Sequence, residues 1–161
     1  AEQSSFPSAH FNLITIAQAI HWLDFDKFYE EVSRTAAAGA LLAVIGYGMV
    51  RIDEKINPLI DEFYEHTFSE FFTENRSYLD RHYANIPFPF EEIQSPEFEK
   101  RDKWGLEDLE GYLNSWSTVQ KFKDEKGFNP VDDMIEKVKG LWNGNNEKPV
   151  SFPIFLRLGR I

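Results

Sequence analysis

The sequence contains no cysteine, which excludes disulfides, thiolate metal sites and cysteine nucleophiles. It has no apolar run approaching the ~20 residues that a bilayer-spanning helix needs. Its first residues, AEQSSFPSAHFN, lack the basic segment and apolar stretch of an export signal. No membrane partner is therefore expected, and a cytoplasmic location is. Positive charge is scarce: 17 Lys and Arg face 27 Asp and Glu, a formal net charge of −10. Phosphate backbones demand clustered cations, so nucleic acid is not an expected partner. GxGxxG, the P-loop lysine motif, HExxH and GxSxG are all missing. The four histidines, at 10, 21, 66 and 82, show no metal-ligand spacing, so no metal is expected.

What is present is a chain of 161 residues, long enough for one domain, with 42% hydrophobic residues. Aromatics reach 16%, with 15 Phe, 6 Tyr and 4 Trp, which points to an aromatic-rich core or pocket. Acidic charge concentrates in the middle. Residues 53–110 hold 16 acids against 6 bases, the pattern of solvated helices with acidic outer faces.

Hydrophobic periodicity gives an α/β order. FNLITIA at 11–17 reads as a strand, being apolar and β-branched. Asp24 is a helix N-cap, and Phe25, Phe28, Tyr29, Val32 and Ala36 form the stripe behind it, with Gly39 as the expected stop. ALLAVIG at 40–46 reads as a strand buried on both faces. Strand, helix and strand within 11–47 predict a right-handed βαβ unit with a parallel pair. Asn57-Pro58 predicts a helix start, cap then proline, with Ile60, Phe63, Tyr64, Phe68, Phe71 and Phe72 as its stripe. A short helix is expected over 75–84, a break at Pro87–Phe90, and a short strand within 94–104. One helix is predicted over 106–122 and another from Asn129-Pro130, with Trp116 and Trp142 as core residues. The closing alternation of Val150, Phe152, Ile154, Leu156 and Leu158 predicts a final strand, half-exposed or antiparallel, with Pro153 limiting its hydrogen bonding.

The segment with chemical potential is Ala17-Gln18-Ala19-Ile20-His21-Trp22, at the carboxyl end of the first strand, where ligands of open α/β sheets bind. It supplies an amide, an imidazole and a stacking face. His21 reads either as a hydrogen-bonded structural histidine or as a catalytic one. Trp22 reads either as a core anchor or as a pocket wall. Gly46-Tyr47-Gly48 ends the second strand similarly, its glycines admitting close approach and Tyr47 offering a ring and a hydroxyl.

The run Phe11–Trp22, the amphipathic helix and Gly39–Val44 resemble the second half of a class I S-adenosylmethionine-dependent methyltransferase. The similarity is to methyltransferase type 11, trans-aconitate methyltransferase-like proteins. Ala1-Glu2 with Phe6-Pro7 resembles the family's loop before its fourth strand. Trp104–Glu107, Tyr112-Leu113, Trp116-Ser117 and Phe152–Arg160 are similar to its usual ending. The family's Gly-rich cofactor loop, and the acidic residue that would hold the ribose, have no counterpart here. The chain also opens without Met, so either an upstream piece was removed or it begins inside a longer chain.

From a family sheet ordered 3-2-1-4-5-7-6, the resemblance implies a partial Rossmann-like sheet of strands 4-5-7-6 with helices and a helical lid insertion. Residues 1–161 would be the C-terminal half of the domain: 1–52 the βαβ unit, 53–90 the lid, 91–161 the C-terminal strands and helices. The implied activity is methyl transfer from S-adenosylmethionine to a small-molecule acceptor in the intact parent, with the fragment alone inactive. By the same carry-over Ala1 and Glu2 flank the adenine, and Ala17 and Gln18 face the methionine end. His21, Trp22 and Tyr47 line the acceptor side, with His21 as general base where an acceptor arrives protonated. The acidic middle segment fits an anionic acceptor poorly. The strand at 11–17 would keep an open edge, which implies pairing with the missing half or self-association. The alternative is a non-catalytic α/β interaction module pairing through that edge. A nucleotide-binding α/β enzyme is disfavoured by the missing glycine loop.

Overall fold

The structure is a computed structural model; it describes residues 1–72, 75–142 and 146–161. β1 (Phe11–Ala17) and β2 (Ala36–Tyr47) flank α1 (Phe25–Thr35). α2 (Asn57–Thr67) and the short α3 (Arg76–Asp80) follow, then β3 (Glu91–Ile93) and β4 (Phe98–Trp104). α4 (Leu106–Asn114), α5 (Ser117–Lys126), α6 (Pro130–Lys139) and β5 (Lys148–Arg160) complete the chain. The sheet order is β1-β2-β5-β3, with β4 also paired to β5. β1 and β2 are parallel, as expected for a βαβ unit, and β5 lies antiparallel beside β2.

The chain forms two compact units. The first comprises residues 1–48, 74–99 and 153–161; the second comprises 49–73 and 100–152. These boundaries differ from the segments drawn on the sequence, since 53–90 contributes to both. In the first unit α1 packs on one sheet face, burying Phe28, Tyr29 and Val32 against Leu42, Val44, Tyr83 and Ile86. The second unit is held by a helical core around Ile60, Phe68, Leu109, Leu113, Val138 and Trp142. Each apolar side chain removed from water contributes roughly 1.5–3 kcal/mol, so these two clusters dominate the stability of their units.

Several boundaries fall elsewhere than the sequence pattern places them. α1 ends at Thr35, not at Gly39. Its last carbonyls are already taken, Arg34 O accepting from Ala9 N–H and Thr35 O from His10 N–H, so no glycine stop is required. Gly39 lies within β2 with φ 76°, where the register with β1 shifts between Phe11 and Leu13. Asn57 does not cap α2. Asp53 Oδ1 accepts from the N–H groups of Lys55 and Ile56, while Asn57 Oδ1 accepts from Ile52 N–H. α2 stops at Thr67, short of Phe71 and Phe72. The single helix expected over 106–122 is two. Ser115 Oγ donates to Tyr112 O, Asn114 Nδ2 to Glu110 O, and Trp116 is extended (φ −68°, ψ 129°). Trp116 thereby reaches the rings of Phe63, Tyr64, Phe68 and Tyr112. The expected strand within 94–104 is β4, and β3 precedes it.

Two glycines of β2 separate conformational from steric cost. A Cβ at Gly39 meets nothing within 4 Å, so Gly39→Ala pays only for its left-handed backbone, about 1–2 kcal/mol. A Cβ at Gly46 would run into the Phe155 ring. Gly46→Ala is expected to cost as much or more by overpacking, about 1–3 kcal/mol, and to perturb Phe155 ring resonances that Gly39→Ala leaves in place. Urea unfolding combined with NMR of the two variants checks both parts.

Candidate functional site

The carboxyl end of β1 turns sharply. Gln18 has φ 49°, an uncommon left-handed conformation for a residue with a side chain, and its N–H donates to Ile45 O. Its Nε2 donates to Tyr47 O at 3.1 Å, which ties the ends of β1 and β2 together. The amide oxygen, Oε1, is buried with no hydrogen-bond partner. A buried acceptor left unsatisfied costs about 1–3 kcal/mol. Such a group at the end of a parallel pair can serve a donor from outside the chain.

The turn continues into a single 3-10 turn, Ile20–Trp22, whose two side chains of interest face differently. His21 is only 5% exposed, whereas Trp22 is 62% exposed. Tyr47, at the end of β2, is 48% exposed. Trp22 is therefore no core anchor. Ala17 is exposed at the last residue of β1, opposite Ile45. Ala1 is also exposed. Glu2 Oε1 accepts from Asp24 N–H at 2.7 Å, just ahead of α1.

The segment carrying Ala1 and Glu2 is fastened by Glu31. Its carboxylate accepts from Ser4 N–H and Ser4 Oγ and pairs with Arg34. These donors, Arg34 first, hold the Glu31 carboxyl down at about 2 from its ordinary 4.5. Ala1, Glu2, Ala17, Gln18, His21, Trp22 and Tyr47 all belong to the first unit. Direct contacts join Gln18 to Tyr47 and the ring of His21 to that of Trp22, whose centroids lie 4.9 Å apart. Gly46 and Gly48 do not open this site to a ligand. They make room for Phe155 and for Pro153.

A residue that periodicity did not single out completes the arrangement. Tyr83 is fully buried, and its hydroxyl lies 2.9 Å from His21 Nδ1. His82 and Tyr83 are consecutive non-glycine residues with φ 51° and 60°. Backbone of this kind costs roughly 1–3 kcal/mol per residue and persists only where its surroundings over-determine it. Here Arg157 does so. Its Nη1 donates to the carbonyls of Tyr83 and Ile86, each at 3.0 Å. Nε and Nη2 form a bidentate pair with Glu92, which lowers that carboxyl's pKa. The guanidinium also lies over the Phe88 ring, and His82 stacks on Phe155. The sequence cue was slight: a histidine, one of the residues that tolerate positive φ, in an aperiodic stretch.

Burial raises the Tyr83 hydroxyl's pKa well above its ordinary value, so the phenol keeps its proton beside His21 Nδ1. A Tyr83 hydroxyl that donates to Nδ1 would place the imidazole proton on Nε2. Among the described residues no group of three or more acidic or histidine side chains could hold a metal, and no helix is long and apolar enough to cross a membrane.

The chain is similar to known proteins over nearly all its length. It is 27% identical to a Dictyostelium discoideum protein named "Putative methyltransferase", over 99% of this chain and 64% of that protein. It thus spans a little under two thirds of that relative. A solved structure titled as a "Putative Type II Methyltransferase" from Anaeromyxobacter dehalogenans superposes with a TM-score of 0.89 at 30% identity, over 99% of this chain and 68% of that one. No family model matches. The chain belongs to the methyltransferase family.

Nitrogen-15 NMR of the His21 ring is expected to show the Nε2–H tautomer in the native chain. Tyr83→Phe should abolish that bias, shift the ring nitrogens by several parts per million, and destabilise the first unit by about 1–3 kcal/mol through the orphaned Nδ1. An unchanged tautomer in Tyr83→Phe would contradict the assignment.

Proposed function

We propose that this chain forms the acceptor-side half of a class I methyltransferase domain that uses S-adenosylmethionine to methylate a small-molecule acceptor. The observation that carries this reading is the β1–β2 carboxyl end, where a left-handed Gln18 leaves a buried amide oxygen without a donor. A ligand ammonium or hydroxyl would satisfy that oxygen, and the methionine end of the cofactor carries an ammonium, so the residues present fit that end of it.

When bound, S-adenosylmethionine supplies a methyl group on a positively charged sulfur. Gln18, with the backbone of Ala17, would hold the cofactor's methionine end. Ala1 and Glu2, fastened to α1, would lie along the adenine. Trp22 and Tyr47, both exposed, offer ring faces to the acceptor and exclude water from it. Displacement at a sulfonium needs alignment more than proton transfer, so fixed positions are the chain's main contribution. His21, with its Nδ1 2.9 Å from the Tyr83 hydroxyl, would act as general base where an acceptor arrives protonated. Acceptors that arrive ionised need no base.

The chain has no Gly-rich loop of its own, so its cofactor affinity alone is expected to be weak, with a Kd above about 0.1 mM. Titration with S-adenosylhomocysteine, followed by amide NMR, should perturb Ala17 and Gln18 first, and Gln18→Leu should erase the effect. Tight binding by this chain alone, or perturbations confined to the second unit, would argue against the half-site reading.

The interaction-module reading draws support from one specific feature. Among the described residues β1 pairs only with β2, and Leu13 on it is 55% exposed. An unpaired apolar edge invites another strand, from the rest of a longer protein or from a second copy. Sedimentation velocity is expected to show concentration-dependent self-association that Leu13→Lys suppresses. A monomer at every concentration, identical in both proteins, would rule out the second copy.

A further inference from the structure

The second unit contains a cavity of about 270 Å³ between α2, α5 and α6, apart from every residue assigned above. Its apolar lining includes Phe63, Phe122 and Met134, all buried. Phe128 stands at the rim, 55% exposed, edge-on to Phe122 with centroids 5.2 Å apart. A large exposed ring held over an apolar floor is not explained by core packing.

The polar lining is of mixed sign. α2 contributes Glu62 and His66, and α6 contributes Asp133 and Lys137. Each pair has i, i+4 spacing, at which opposite charges on a helix surface can meet. Neither pair closes, and none of the four side chains has a hydrogen-bond or ion-pair partner among the described residues. Elsewhere in this unit such partners do form, as in Lys148 with Asp53 and Arg51 with Asp61. Two carboxylates, an ammonium and an imidazole, all exposed, thus ring an aromatic floor without pairing with one another.

We propose that this cavity is a binding site for a small zwitterion with an apolar or aromatic body, the chemistry of a free amino acid. Glu62 and Asp133 meet its ammonium, Lys137 and His66 its carboxylate, and the rings of Phe63, Phe122 and Phe128 its side chain. A cation alone would leave Lys137 unmatched, and an anion alone would leave two carboxylates facing it. The volume lies just below the ~300–1,000 Å³ of sites that take drug-sized ligands, which suits a molecule of amino-acid size.

The test uses the chain as it is, with L-phenylalanine, phenethylamine and 3-phenylpropionate titrated separately and followed by amide NMR. L-phenylalanine is expected to give saturable shifts centred on α2 and α6, with each single-charge analogue weaker by about fivefold or more. Lys137→Ala should erase the preference over phenethylamine, and Glu62→Gln with Asp133→Asn the preference over 3-phenylpropionate. All three positions are exposed, so spectral dispersion should be retained. Absence of saturable shifts with L-phenylalanine, equal affinity for the three probes, or shifts confined to the first unit would each overturn the proposal.

Discussion

The Arg157 guanidinium is the constraint on which the first unit's site depends. It sits on β5, between β2 and β3, and answers three demands together: two carbonyls of a left-handed turn, the Glu92 carboxylate and the face of Phe88. Without those bonds the turn at His82 and Tyr83 would relax, because two residues with side chains do not hold positive φ unaided. With them, the Tyr83 hydroxyl is carried to within 2.9 Å of His21 Nδ1, a buried contact that orients the imidazole. The short turn Ile20–Trp22 then has a buried anchor on one side and an exposed indole on the other. The chain of dependence runs from a C-terminal strand to an N-terminal site through one planar cation.

The second unit is organised differently. Its core is a continuous set of ring contacts in which Trp116 touches Phe63, Tyr64, Phe68 and Tyr112, and Trp104 touches Tyr112 and Phe152. Four of these six pairs are edge-to-face, a geometry that contributes beyond buried area. The break between α4 and α5 is the local concession that lets Trp116 take part. Its helical geometry is given up for four ring neighbours.

Both strands of the βαβ unit were legible because their signal is local. FNLITIA is a β-branched, apolar run and ALLAVIG a largely buried apolar one, and Asp24 caps α1 as its spacing indicates, accepting from Lys27 N–H. The final alternation likewise marked β5. What escaped the sequence depends on distant partners. Thr35 ends α1 because Ala9 and His10 supply donors, Asn57 turns its side chain to Ile52 N–H instead of capping α2, and Trp116 breaks a pattern that is helical on paper. Among site residues, Gln18 and Tyr47 stand at strand ends and Trp22 in the turn that follows β1, positions the strand pattern marks out. Tyr83 was not, since nothing in its neighbours' periodicity says that a residue more than sixty positions from His21 lies against it.

The distribution of the four tryptophans carries a practical consequence. Trp104 and Trp116 are half-buried and Trp142 is fully buried, its Nε1 donating to Asn146 O, and all three belong to the second unit. Trp22 alone belongs to the first, and it is the one well exposed to water. An indole in water emits at longer wavelength than one in an apolar interior, so the chain has two native fluorophore populations distinguishable by colour and by access to a soluble quencher. The red-shifted population reports on the end of the parallel strand pair, and the blue-shifted one on the helical core.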